Sequence, residues 1–286
     1  MIGDPSVASF SARDAIEPTP TICQSGGSLG KPFRQQEIAR NTTMKQDIDI
    51  KTADGMAKAA VFRPDNGASA GSGVIFYMDA MGPRASLYEM AQRLADAGHI
   101  VLLPDLFYRF GAYGPFDGSA FGNPASRETI MTMLRGTTQQ MTRNDSAAFL
   151  DALSAAGAKG PAGVVGYCMG GARALTAAAA YPDRIAAAAS FHGGNLASEA
   201  EDSPHRLAAD IKARVYVGAA GIDNSFPPEQ SARLAEALRT GGVDHIIENY
   251  VGMSHGWTVP DHGVYDETGA ERHWKRLLNL FDEALA

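Results

Sequence analysis

GVVGYCMGGARALTAAAA, residues 163–180, is the stretch on which the fold turns. The run from Gly163 to Tyr167 is apolar and uninterrupted, as a strand covered on both faces must be, and Gly170 to Ala180 is an alanine-rich helix that stops before Pro182. Between them stands Gly166-Tyr167-Cys168-Met169-Gly170, the nucleophile-elbow pattern with cysteine in the serine position. In so tight a turn a side chain at Gly166 or Gly170 would collide, and the strain pushes Cys168 outward beyond the strand's C-terminal end. The free amides and dipole at the start of the helix favour a thiolate there. A dinucleotide-binding loop shares the strand, turn and helix. It requires bare backbone where Cys168 and Met169 stand, and its G-x-G-x-x-G spacing is absent. A buried structural cysteine in a glycine-rich turn is the other reading, and only the rest of the chain can decide between them.

Working outward, strand-like and helix-like segments alternate. Val74 to Met78 and Ile100 to Leu103 are apolar runs, and between them Leu87, Met90, Ala91, Leu94 and Ala97 recur at helical spacing. Long helical stretches lie between Arg127 and Ala156. Beyond the elbow, Ile185 to Phe191, Val215 to Gly218 and Ile246 to Val251 read as strands, Glu229 to Arg239 as a helix, and Trp274, Leu277, Leu278 and Phe281 as one face of a terminal helix. Upstream, Ile48 and Ile50 alternate with charged neighbours before a turn at Asp54-Gly55. The pattern predicts an α/β fold: a mostly parallel central sheet with helices on both faces, in a single domain over residues 44–286. Residues 1–43 show no apolar period, and their Pro, Ser, Gly and Thr content predicts a disordered, dispensable extension.

With 286 residues, 45% of them hydrophobic, the chain can bury one large core. A net charge of −7 and no basic cluster argue against nucleic acid as a partner. No apolar run approaches the ~20 residues of a membrane-spanning helix, and the acidic N-terminus is unlike a secretory or transit peptide. Two cysteines make no disulfide framework, which with the rest predicts a cytoplasmic protein.

The nucleophile turn requires a base and an acid further along the chain, each on a loop after a later strand. Asp223 follows Val215 to Gly218, and His255 follows Ile246 to Val251. Alone, Asp223 would read as a turn or N-cap residue and His255 as an incidental loop histidine. In this order and placement they complete a triad. At this point the sequence resembles the dienelactone hydrolase (carboxymethylenebutenolidase) family of the α/β-hydrolases, from about Lys51 to the terminal helix. The resemblance rests on the elbow, the Asp223 loop, Ser254-His255-Gly256-Trp257, Pro104-Asp105-Leu106-Phe107 and Phe191-His192-Gly193-Gly194.

The resemblance implies a hydrolase of small esters or lactones, with Cys168 as nucleophile, His255 as base and Asp223 as its orienting acid, and with no metal or organic cofactor. Where the family places a glutamate that helps activate the thiol, this chain has Asp79, whose other reading is a turn residue before Gly82-Pro83. The backbone N–H groups of Ala80 and Met169 would form the oxyanion hole. Arg109 occupies the position of a substrate-gripping arginine, with Tyr113 four residues on; Arg109 reads equally as a surface ion pair. A second family arginine is replaced by Val259. His192 is expected either to be structural or to support the site from behind. A thiolate leaves as readily as it attacks, which favours enol lactones and activated esters over peptides. Other activities of the same fold (carboxylesterase or thioesterase), a zinc hydrolase using Cys168, His192 and His255, and a non-catalytic ligand-binding module are the competing readings. The absence of a close-spaced ligand pair speaks against the metal site, and the presence of all three triad members speaks against the binding module.

Overall fold

The computed structural model describes residues 45–64 and 71–285; the extension expected over residues 1–43 lies outside the described residues. Eight strands form one sheet: β1 (Lys45–Thr52), β2 (Gly55–Phe62), β3 (Ser72–Tyr77), β4 (Ile100–Pro104), β5 (Lys159–Tyr167), β6 (Ile185–Phe191), β7 (Arg214–Ile222) and β8 (His245–Ser254), in the spatial order β1-β2-β4-β3-β5-β6-β7-β8. The β1–β2 hairpin and the β2–β4 pairing are antiparallel; every pairing from β4 through β3 to β8 is parallel. This is the mostly parallel sheet that the strand and helix alternation predicts.

Among the described residues six helices accompany it: α1 (Ala85–Asp96), α2 (Pro124–Gly136), α3 (Gln139–Ala155), α4 (Met169–Ala180), α5 (Pro228–Thr240) and α6 (Glu267–Ala284). Two glycines reveal which face each helix covers. Val74 of β3 and Gly163 of β5 are register partners, so their side-chain directions point to the same side and Gly73 points to the other. A Cβ on Gly163 would lie 2.8 Å from Phe281 of α6, and one on Gly73 would lie 2.5 Å from Leu153 of α3. Helices α3 and α6 therefore lie on opposite faces. Helix α4 joins α3 through Thr176 Oγ1 donating to Gln139 Oε1 at 2.8 Å, and α1 joins α6 through Arg93, which pairs with Glu271 and lies 4.7 Å over the Trp274 ring. The strands between the two layers have no polar face: Val74 to Tyr77 and Val164 to Val165 are fully buried. Each such side chain contributes about 1.5–3 kcal/mol by leaving water.

One local feature refines the sequence reading and another departs from it. The helical sequence between Arg127 and Ala156 is two helices, because Thr137 and Thr138 leave the helical path and Thr138 Oγ1 caps α3 by accepting from Met141 N at 3.2 Å. Strand β2 went unread because it lies between β1 and β4 with Ala57, Ala59, Ala60, Val61 and Phe62 all buried, so it shows no polar alternation.

Candidate active site

Parallel strands finish along one edge of the sheet, and there β3, β5, β6, β7 and β8 each deliver one group. Cys168 leaves β5 with φ 55° and ψ −119° and caps the N-terminus of α4. A left-handed φ on a non-glycine residue costs about 1–3 kcal/mol, and it persists only where the surroundings enforce it. Here the enforcement is steric. A Cβ on Gly166 would overlap the Gly170 carbonyl, and one on Gly170 would overlap the carbonyls of Tyr77 and Met78 on the neighbouring strand.

From β6 comes His192, itself at φ 39° and buried. The Cys168 N–H is shared between Phe191 O at 3.2 Å and His192 Nδ1 at 3.1 Å. Because Nδ1 accepts, the ring proton sits on Nε2, which donates to Thr258 Oγ1 at 2.8 Å. Burial, reinforced by neighbouring histidines, holds the His192 pKa well below its ordinary value, in keeping with this neutral form. Both ring nitrogens are thereby engaged, and His192 links the nucleophile turn to the segment that follows His255. In the sequence His192 read only as structural or as support for the site; the tautomer and the link to Thr258 needed coordinates.

Strands β7 and β8 bring Asp223 and His255 together. His255 Nδ1 stands 2.7 Å from Asp223 Oδ2, and the other carboxylate oxygen accepts from Ser225 N at 2.7 Å and Ser225 Oγ at 2.6 Å. Burial would raise the Asp223 carboxyl; His255 and Ser225 outweigh it and hold the pKa below the usual range. With Nδ1 engaged, Nε2 is the nitrogen left for Cys168. Burial opposes charge on His255, yet the neighbouring Cys168 sulfur and the Asp223 carboxylate push its pKa up to about 10. Nucleophile, base and acid predicted from the sequence thus converge on one point.

After β3 come Asp79 and Ala80, both buried. Among the described residues the N–H groups of Ala80 and Met169 donate to no protein acceptor. The Asp79 side chain, by contrast, is fully engaged. Its Oδ1 accepts from Met81 N at 3.0 Å and Arg84 Nη1 at 2.7 Å; its Oδ2 accepts from Arg84 Nη2 at 2.8 Å and lies 3.4 Å from His262 Nε2. Burial would raise its carboxyl, but His262 and Arg84 outweigh it and hold the pKa down. No recorded contact runs from Asp79 to Cys168 among the described residues. Arg84, Asp261 and His262 carried no signal in the sequence reading, since an arginine after Gly-Pro and an Asp-His pair after Pro260 look like ordinary loop residues.

Arg109 is not brought to this edge with a free guanidinium. Its Nη1 and Nη2 each reach Asp145 at 2.8 Å, and Nε and Nη2 reach Asp54 at 2.9 and 2.6 Å. Of the two readings open in the sequence, these contacts are those of an ion pair. Tyr113 does lie beside the 79–82 loop, where a Cβ on Gly82 would fall 2.8 Å from its hydroxyl, but that hydroxyl donates to Asp105 Oδ1 at 2.6 Å. Val259 is completely buried, so the place of the second family arginine is apolar core. Tyr113, Met81 and Pro83 also line a cavity of about 680 Å³ between the loop after β3 and the β1–β2 hairpin.

A family model described as the dienelactone hydrolase family matches residues 57–285. The chain belongs to the dienelactone hydrolase family. A carboxymethylenebutenolidase of Rhodococcus opacus is 27% identical over 224 residues, 75% of this chain and 82% of the relative. A protein of Klebsiella pneumoniae provisionally named a dienelactone hydrolase superposes with a TM-score of 0.73 at 21% identity, covering 84% of this chain and 98% of that one. A dienelactone hydrolase-like promiscuous phosphotriesterase from metagenomic libraries superposes with a TM-score of 0.69 at 26% identity, covering 85% and 100%. As a dienelactone hydrolase family member the chain is an enzyme, a hydrolase of ester or lactone bonds in small molecules. No helix among the described residues is long and apolar enough to cross a membrane.

Proposed function

We propose that this dienelactone hydrolase family member opens a small ester or lactone through a Cys168, His255, Asp223 triad and a thioester intermediate. The observation that carries the reading is the meeting of three side chains: His255 Nδ1 lies 2.7 Å from Asp223 Oδ2, and Cys168 stands close enough to the ring to raise the His255 pKa against the opposing effect of burial, an arrangement suited to a thiolate–imidazolium pair. The thiolate attacks the carbonyl carbon, and the carbonyl electron pair moves onto oxygen, where the Ala80 and Met169 N–H groups receive it. As the pair returns, the bond to the leaving oxygen breaks and His255 Nε2 gives that oxygen its proton. In a lactone the freed hydroxyl or enol stays attached to the acyl group.

Acylation also resets the base. A thioester sulfur carries no charge, so the contribution that raised the His255 pKa vanishes and the ring, now neutral, can take a proton from water. The resulting hydroxide attacks the thioester, the carbon–sulfur bond breaks, and the thiolate re-forms beside the imidazolium. Asp223 keeps Nδ1 protonated throughout. Because sulfur leaves so readily, forward collapse needs a leaving group at least as good, which favours enol lactones and activated esters over amides.

The test is to mix the protein with an aryl acetate and follow phenol release and intact mass together. A burst of one phenol per chain with an acetyl group mapped to Cys168, absent in Cys168→Ala, is the expected result. Full turnover by Cys168→Ala would overturn the covalent mechanism.

A further inference from the structure

Arg84 makes contacts that neither the fold nor the triad requires. On one side its guanidinium is bidentate to Asp79, and Nη1 also reaches Gly82 O at 3.2 Å, so it grips the 79–82 loop at both ends. On the other side Nε and Nη2 are bidentate to Asp261 at 2.7 and 2.9 Å, and Nη2 lies 3.2 Å from His262 Nε2. The first loop carries the Ala80 N–H. The second follows directly from His255, and its His262 ring rests on Gly256, where a Cβ would overlap it. Only 8% of the Arg84 side chain and none of Asp79 is exposed. A planar fork held at both edges fixes distance and orientation between the carboxylates, which a point charge cannot do.

The Asp79 end has a further consequence. Its Oδ1 accepts from Met81 N, which sets the peptide planes on either side of Ala80, and the same oxygen is held in place by Arg84. A carboxylate held in this way orients the backbone, and among the described residues no hydrogen bond or ion pair joins it to the thiol.

We propose that Arg84 is a positioning residue that clamps the loop bearing the Ala80 N–H to the loop bearing His255, so that the oxyanion hole and the base keep one fixed geometry, and that Asp79 serves this clamp instead of activating Cys168. The proposal rests on Cys168 being the nucleophile and Ala80 N–H an oxyanion donor. Losing the clamp therefore weakens transition-state stabilisation at the carbonyl oxygen. His255 itself stays anchored to Asp223 at 2.7 Å, so what the clamp sets is the position of the oxyanion donor relative to the base, and a reaction of the thiolate in which no oxyanion forms is left untouched.

Two reactions of the same sulfur separate these effects. Aryl ester hydrolysis needs the oxyanion hole; alkylation by iodoacetamide is a displacement at saturated carbon and does not. Arg84→Met should lower kcat for the ester about a hundredfold, with KM changed less than about threefold. Its rate of Cys168 alkylation should stay within about threefold of wild type and keep the same pH profile, and Arg84→Lys should recover only part of the loss. If Arg84→Met does not fold, Asp261→Asn breaks the clamp on the His255 side while preserving shape and the Asp79 pair, and the same divergence is expected. Equal loss of both reactions in a folded variant, or an altered alkylation profile, would overturn the proposal in favour of a general structural role or of Asp79 acting on the thiol. Unchanged ester kcat would overturn it outright. Failure of the triad reading is recognised separately, by hydrolysis that survives in Cys168→Ala.

Discussion

Replacing Cys168 by alanine removes the neighbour that contributes most to holding a proton on His255. In the resting protein burial opposes charge on the histidine, and Cys168 and Asp223 raise its pKa from 6.5 to about 10 against it. In Cys168→Ala the Asp223 bond and the burial remain and the sulfur's charge is gone. The sign follows directly. Wild-type His255 keeps its proton through neutrality and releases it only as the pH climbs through about 10, whereas in the variant release should come roughly two or more pH units earlier. Histidine Cε1–H resonances followed by NMR between about pH 5 and about pH 11, with His255→Gln for assignment, measure this directly. The uncharged alanine also imitates the uncharged thioester sulfur, so the same titration reports whether acylation turns His255 into a base. A His255 that titrates at the same pH in both proteins would refute the charge pair, and with it the account of how one residue acts first as acid and then as base.

Three further outcomes are expected. His255→Ala should lose about 10³-fold or more in ester kcat/KM, since leaving-group protonation and deacylation both need it, and a loss below about tenfold in steady-state assays would assign the base elsewhere. Arg109→Met should leave Asp145, with 3% of its side chain exposed, as a buried unpaired carboxylate, costing about 3 kcal/mol of stability; it should affect a carboxylate-bearing substrate and its methyl ester alike, and a selective rise in KM for the acid would restore Arg109 as a substrate-gripping residue. Asp79 is held below its ordinary 3.8 in the folded protein, so its contribution is fully present above pH 3.8 and is lost as the pH falls through the lower folded value. Urea unfolding at a series of pH values should accordingly show the gap between wild type and Asp79→Asn narrowing on acidification, and a gap that widens would contradict the ion pair with Arg84.

The readable part of this protein is local in the chain. A strand, a turn with room only for glycine, and a helix leave a contiguous mark at residues 163–180, and the order of the parallel strands then places Asp223 and His255 on loops that must emerge at the same edge as Cys168. Val74 to Tyr77 and Ile100 to Leu103 betray their burial because a strand covered on both faces can hold no polar side. The antiparallel β2 escaped notice for the same reason in reverse, since its position between β1 and β4 removes the alternation that marks an exposed sheet.

Charged side chains carry no such mark. Arg84 and Asp261 stand 177 positions apart, and nothing in either loop announces that one guanidinium will bridge them; Arg109, in the expected position for gripping a carboxylate, is instead held by Asp54 and Asp145. The tautomer of His192 likewise follows from which groups meet its two nitrogens. The sequence by itself determined the fold class and pointed to Cys168, Asp223 and His255 as the residues that meet at one edge of the sheet, because backbone sterics and apolar periodicity act over a few residues. Which charges pair, and so which of them remain free to meet a substrate, was decided only by tertiary structure, because a salt bridge depends on where distant loops come to lie once the sheet has closed.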